Sequence, residues 1–273
     1  MELRIWQVDA FAEKLFEGNP AAVIPLDVFL PDEKLQAIAA ENNLSETAFL
    51  VPEQRGSWDR CRLRWFTPTV EVPLCGHATL ASAHVVFASL APALQTVRFA
   101  TQSGELVVTR LGTGELEMAL PAYAAAPHPD AEEFLEALEE ALDLTPLEVL
   151  KANYAIAVFA SADEILEADS DGVLADTLEE FGEDGLVITA PGGETGFDFV
   201  SRFFVPGKGV AEDPVTGSAH AALVPLWAKR LGKPHLRARQ LSERGGTLHC
   251  EERGENVLLR GKVVPYLEGI IRI

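Results

Sequence analysis

Two short passages of the sequence place groups able to do chemistry where a helix begins. The first is Pro73-Leu-Cys-Gly-His-Ala78 and the second is Pro214-Val-Thr-Gly-Ser-Ala219. Each opens an alanine-rich apolar run. The first N–H groups of a helix lack internal partners and carry partial positive charge. A glycine there, Gly76 in one passage and Gly217 in the other, lets a ligand come close to the backbone. Each passage therefore offers an anion site suited to a carboxylate. His77 at such a place is either a helix cap or a ligand contact. Asp213, just before Pro214, has the character of a turn residue, and Ser218 that of a cap. Glu46, in Asn43-Leu-Ser-Glu-Thr47, taken alone is a solvated loop carboxylate.

The two passages belong to a longer repeat. Arg64-Trp-Phe-Thr-Pro68 precedes the first, and Arg202-Phe-Phe-Val-Pro206 precedes the second. Both units run from an aromatic strand through a loop into a helix, and the second loop is longer by about three residues. The pattern is that of a duplicated half. If the halves face one another, the two helix starts flank one cleft.

The elements that must position these groups alternate along the chain. Period-two patterning predicts strands over 4–11, 21–25, 46–51, 60–66, 96–100, 105–111 and 115–120. Helices are expected over 31–42 and 76–90. The Ala- and Pro-rich stretch 121–129 has linker composition, so the expected halves are 1–120 and 130–273, with the last strand able to cross into the first. Beyond the linker the pattern predicts a helix over 130–142, strands over 154–159, 185–190 and 197–205, and a helix over 217–231. Several strands follow from 238 to 273. Ser161-Ala-Asp-Glu164 has the form of a capping box. Short, often consecutive strands favour a mixed or antiparallel α+β fold over a doubly wound parallel sheet.

Composition removes several function classes. The 273 residues carry 42 acidic and 22 basic side chains, a formal net charge of −20. Such a surface repels phosphate backbones, and no nucleic-acid partner is expected. No apolar run approaches the roughly 18 residues of a membrane span, and the first residues lack signal-peptide character. Cys61, Cys75 and Cys250 are odd in number and widely spaced. They suit a reducing cytoplasm rather than a disulfide framework. His77 and His84 stand two helical turns apart with no acidic ligand between them, so no metal is expected. Gly112-Thr-Gly114 and Gly192-Gly193 with Gly196 lack the helix of a dinucleotide loop, and no Gly-Lys-Ser/Thr occurs, so no nucleotide cofactor is expected.

Val8-Asp-Ala-Phe11 with Gly18-Asn-Pro-Ala-Ala22, then Asn43-Leu-Ser-Glu-Thr47, Pro73-Leu-Cys-Gly-His-Ala-Thr79 and Asp213-Pro-Val-Thr-Gly-Ser-Ala219 occur in this order. Together they resemble the PhzF-like family, the phenazine-biosynthesis isomerases and their relatives of unknown substrate, over nearly the whole chain. The resemblance implies a diaminopimelate-epimerase-like fold: α+β, with two topologically similar halves, each a mixed or antiparallel sheet wrapped around a central helix. It implies a homodimer acting without a cofactor on a small carboxylated substrate. It also implies a catalytic set of Glu46, His77, Asp213 and Ser218, with Glu46 carrying the proton and Gly76, His77, Gly217 and Ser218 meeting the substrate. A carboxylate in closed, partly apolar surroundings can take and return a proton.

Diaminopimelate epimerases and proline racemases of the same fold use one cysteine per half. Here Cys75 aligns with Thr216, whose hydroxyl is far too weak an acid to replace a thiol. The leading expectation is therefore a proton-moving isomerase. An amino-acid racemase or epimerase is the alternative, and a catalytically silent binding protein on the same fold is a third.

Overall fold

Alternating apolar residues along the first ten positions make one face of a strand, and Gly18 makes the turn that sends the chain back beside it. In the computed structural model, which describes residues 1–168, 172–208 and 210–273, the chain divides into two units. One takes Met1–Leu120 and Leu259–Ile273, the other Pro121–Leu258.

In the first unit β1 (Glu2–Ala10) pairs antiparallel with β2 (Asn19–Pro25), and β2 runs parallel to β3 (Glu46–Gln54). Between these two strands lies α1 (Asp32–Asn42), which buries Leu35, Ile38 and Ala39 against Ile24, Phe49 and Phe66. Pro31, the first residue of the expected helix, stands just outside it at the N-cap position. β3 is antiparallel to β4 (Ser57–Phe66), which pairs with the short β5 (Glu71–Val72). Then come α2 (Gly76–Val85), a π-helical turn over Val86–Leu90, and β6 (Thr96–Thr101), parallel to β4. β7 (Gly104–Arg110) and β8 (Leu116–Pro121) follow as antiparallel neighbours. α2 touches β1, β2, β3 and β7, and nine of its ten residues are buried, which is why its sequence is apolar all round.

The second unit repeats the order. β9 (Ala126–Pro127) pairs with β10 (Glu148–Lys151), and α3 (Ala131–Leu142) connects them. β10 is antiparallel to β11 (Ala155–Val158), as β1 is to β2. Two helices, α4 (Ala162–Glu167) and α5 (Gly172–Glu180), lead to β12 (Leu186–Pro191), parallel to β11. β13 (Phe199–Val205) is antiparallel to β12 and to the short β14 (Val210–Glu212). Next are α6 (Gly217–Leu231) and β15 (His235–Gln240), parallel to β13, then β16 (Gly246–Arg253) and β17 (Asn256–Gly261). The last strand, β18 (Val263–Arg272), pairs antiparallel with β1 and so belongs to the first unit.

The duplication reaches side chains. Arg64 of β4 grips Glu71 of β5 with two hydrogen bonds of 2.7 and 2.6 Å, and its guanidinium lies over Phe66. Arg202 of β13 grips Glu212 of β14 at 2.8 and 3.1 Å, and lies over Phe204. The forked guanidinium clamps the strand before each helix to the short strand after it. Arginine and glutamate are seven residues apart in the first unit and ten in the second, which is the three-residue difference in loop length. Gly209, in the second loop, lies outside the described residues.

Within the stretch 121–129, Ala126–Pro127 pairs with β10, and 259–273 cross from the second half into the first, as the expected layout allowed. β10 and α5 carry too few patterned residues to be legible alone. The expected capping box is present in part: Ser161 Oγ accepts from the Glu164 N–H, but the Glu164 carboxylate accepts from the N–H of Ala160, one residue before the cap. Among the described residues no helix is long and apolar enough to cross a membrane.

Candidate functional site

β3 begins at Glu46, in register with Ala21 of β2, two residues after Asn19. This pairing brings the carboxylate next to the start of α2, whose second residue is His77. Glu46 Oε2 lies 3.0 Å from His77 Nε2, in a bent ion-pair contact rather than an aligned hydrogen bond. The Glu46 side chain is only 16% exposed, so the solvated loop carboxylate expected from the bare sequence is corrected. On the opposite side of the imidazole, Nδ1 lies 3.1 Å from the Asn19 amide nitrogen and 3.5 Å from Cys75 Sγ. Cys75 caps α2 in an extended conformation but offers no side-chain cap bond; its carbonyl accepts from Thr79.

Electrostatics distinguish the three groups. Burial alone would push the His77 imidazolium down, but its contacts with Cys75 and Glu46 outweigh burial and hold its pKa well above the ordinary histidine range. Burial, reinforced by Glu46, pushes the Cys75 thiol up to about 11. Cys75 is thus a protonated, buried thiol at neutral pH, poorly suited to act as a base. Potential ligand atoms of Glu46, Cys75 and His77 all lie within 4.8 Å of one another, the spacing of a metal cluster. However, the ring turns Nδ1 to the thiol and Nε2 to the carboxylate, an arrangement that fits a proton path better than one shared ion.

In the second unit the aligned helix start is built differently. Thr216 stands where Cys75 does, extended and without a side-chain cap bond, and its hydroxyl donates to the Asp213 carboxylate. The Gln240 amide fixes the turn by accepting from the Thr216 N–H at 2.8 Å and donating to the Asp213 carbonyl at 2.7 Å. Ser218 is not a cap. Its hydroxyl lies 3.2 Å from the Tyr154 hydroxyl, and its carbonyl accepts from Asn153 at 3.0 Å. Gly76 and Gly217 are both first residues of their helices. The structure therefore groups the expected residues into one set per unit, Glu46, Gly76 and His77 in the first and Asp213, Gly217 and Ser218 in the second.

Sequence reasoning missed Asn19, Tyr154 and Gln240. Each is brought in by strand pairing from 24 to 64 residues away, and no local pattern marks the contact. Only Asn19 had a signal, the Gly18-Asn-Pro turn. Gly18 has φ +73°, and a Cβ there would sit 2.3 Å from the Ala10 carbonyl oxygen. Gly18→Ala is expected to destabilise the chain by more than the roughly 1–2 kcal/mol that a left-handed backbone costs a residue with a side chain, and to displace Asn19. Urea unfolding of the variant checks this; an unchanged midpoint would contradict it.

A sheet repeated around two buried helices, one in each unit, is a diaminopimelate-epimerase-like fold. A solved probable proline racemase of Agrobacterium radiobacter matches with a TM-score of 0.65 over 99% of this chain and 92% of its own, at 8% identity, and so shares the fold. Within that fold class the chain belongs to the phenazine biosynthesis-like protein family, PhzC-PhzF, whose model matches residues 8–269. A PhzF-family protein of Enterococcus faecalis, known by crystal structure, matches with a TM-score of 0.89 and 38% identity over the whole of both chains. An "uncharacterized isomerase" of Pseudomonas aeruginosa is 49% identical over the full length of both.

Proposed function

We propose that this protein is an isomerase that moves a proton within a small carboxylated substrate, with Glu46 taking and returning it and no cofactor taking part. The observation that carries this reading is the Glu46 carboxylate, mostly buried and held 3.0 Å from Nε2 of the buried His77 at the start of α2. A carboxylate so placed can accept a carbon-bound proton while the imidazole answers its changing charge. The isomerase name of the Pseudomonas relative supports the reaction class. Thr216 in place of a second thiol disfavours a two-thiol racemase. Asp213 and Ser218 are proposed to bind and orient substrate, and Ser218→Ala is expected to raise KM more than it lowers kcat.

The test is a panel of small cyclic and amino carboxylic acids incubated with the protein in D2O and followed by proton NMR and ultraviolet absorbance. An isomerase exchanges a carbon-bound proton and shifts a double bond. Loss of optical activity without a spectral change would establish a racemase instead, and no exchange with any compound would favour a binding protein.

A homodimer is proposed as well. The first unit exposes Leu15, Phe16, Tyr266, Leu267 and Ile270; Phe16 and Tyr266 meet edge to face at 6.0 Å, and Tyr266 lies where a bulge interrupts the β1–β18 register. A net charge of −20 opposes association, so the interface must be apolar. Sedimentation at micromolar concentration is expected to show a dimer; a single species near 29.6 kDa would contradict it.

A further inference from the structure

Asn19 is fully buried at the first position of β2, directly after the left-handed Gly18 turn. A buried polar side chain is retained where it makes hydrogen bonds, and this one reaches His77 across 58 residues of sequence. The amide nitrogen can only donate, so in the orientation the structure shows, 3.1 Å from Nδ1, it makes that ring nitrogen the acceptor of the neutral imidazole. The single ring proton then sits on Nε2, facing Glu46 at 3.0 Å. When the ring is charged, the same side chain, turned by half a rotation, can offer its carbonyl to the Nδ1 proton. Asparagine can serve both charge states from one position. Aspartate could only accept, and leucine could do neither.

We propose that Asn19 is a positioning residue for the His77–Glu46 pair, holding Nδ1 so that Nε2 keeps its N–H toward Glu46 in both charge states of the ring. The titratable groups around the ring are Glu46 of β3 on the Nε2 side and Cys75 at the cap of α2 on the Nδ1 side. Asp9 of β1 is buried as well, in register with Pro20, the neighbour of Asn19. A carboxylate at position 19 would add a charge on the Nδ1 side. It would hold the proton there and turn the bare Nε2 lone pair toward Glu46 once the ring is neutral. The kinetic consequence rests on the proposed proton transfer at Glu46; the ring's protonation pattern does not.

The experiment is nitrogen-15 NMR of histidine-labelled full-length protein, with His77 assigned by loss of its signals in His77→Gln. Wild type, Asn19→Asp and Asn19→Leu are compared through the titration of the ring. In wild type the neutral ring is expected to carry its proton on Nε2. Asn19→Asp should move it to Nδ1 and raise the titration midpoint, and Asn19→Leu should give a mixture of both forms. The kinetic arm expects a fall in kcat of about 10²-fold for Asn19→Leu with little change in KM, and a displaced pH–rate profile for Asn19→Asp. An Nε2 proton in all three folded proteins, with superimposable pH profiles, would overturn the proposal. The expected NMR changes with undiminished turnover would leave Asn19 as the orienting group and instead remove the His77–Glu46 pair from the reaction.

Discussion

Glu46→Gln is expected to lower kcat by about 10²–10⁴-fold, the usual contribution of a positioned general base, with little change in KM. Glutamine preserves the length, planarity and hydrogen-bonding reach of the side chain, so the strand start and its contact with α2 survive. What it loses is the ability to accept a proton and give it back. Because the side chain is only 16% exposed, bulk water has poor access to the site and cannot readily replace it. Cys75→Ser is expected to cost little in chemistry, since the thiol is held protonated up to about pH 11 and the aligned residue of the second unit is Thr216. The measurement is steady-state kinetics on the substrate found by the exchange screen, with circular dichroism to confirm that both variants fold.

Acid is expected to destabilise the protein through His220 by about 3 kcal/mol between neutral pH and pH 4. His220 is fully buried on α6, where Nδ1 donates to the Thr216 carbonyl at 2.8 Å. Burial pushes its pKa down from the ordinary 6.5 to about 4. The unfolded chain therefore takes up a proton at this residue before the folded chain does. The stability is fully present above pH 6.5, falls as the pH drops below that value, and the loss is complete near pH 4. A glutamine at 220 can keep a hydrogen bond to the carbonyl but has nothing to titrate. Chemical denaturation of wild type and His220→Gln from pH 7 to 4 should give a shallower slope for the variant, by up to one proton. Parallel curves would show that His220 does not set this dependence.

The duplicated framework was legible because each half repeats the same local grammar: an aromatic strand, a Pro-containing loop and a glycine that opens an apolar helix. α2 and α6 begin at Gly76 and Gly217, as the aligned passages require. The forked pairs Arg64–Glu71 and Arg202–Glu212 were not anticipated, although both arginines lie within the repeat, because their glutamates fall in the variable loops. Glu46 was legible only through resemblance, and His77 on its own only as a cap or a ligand contact; nothing local to Asn43-Leu-Ser-Glu-Thr47 says that its carboxylate meets His77, 31 residues later. Strand pairing makes that contact, as it makes those of Asn19, Tyr154 and Gln240. α5 was missed for the opposite reason: its short pattern buries only Leu174, Thr177 and Leu178, too few to establish a helical period.

The most direct test of the central claim, that Glu46 and not Cys75 carries the proton, is deuterium incorporation from D2O into the bound substrate, followed by proton NMR in parallel for wild type, Glu46→Gln and Cys75→Ser. Exchange at a carbon should persist in wild type and Cys75→Ser and be abolished in Glu46→Gln. Exchange that survives in Glu46→Gln and disappears in Cys75→Ser would contradict the account and assign the proton to the thiol.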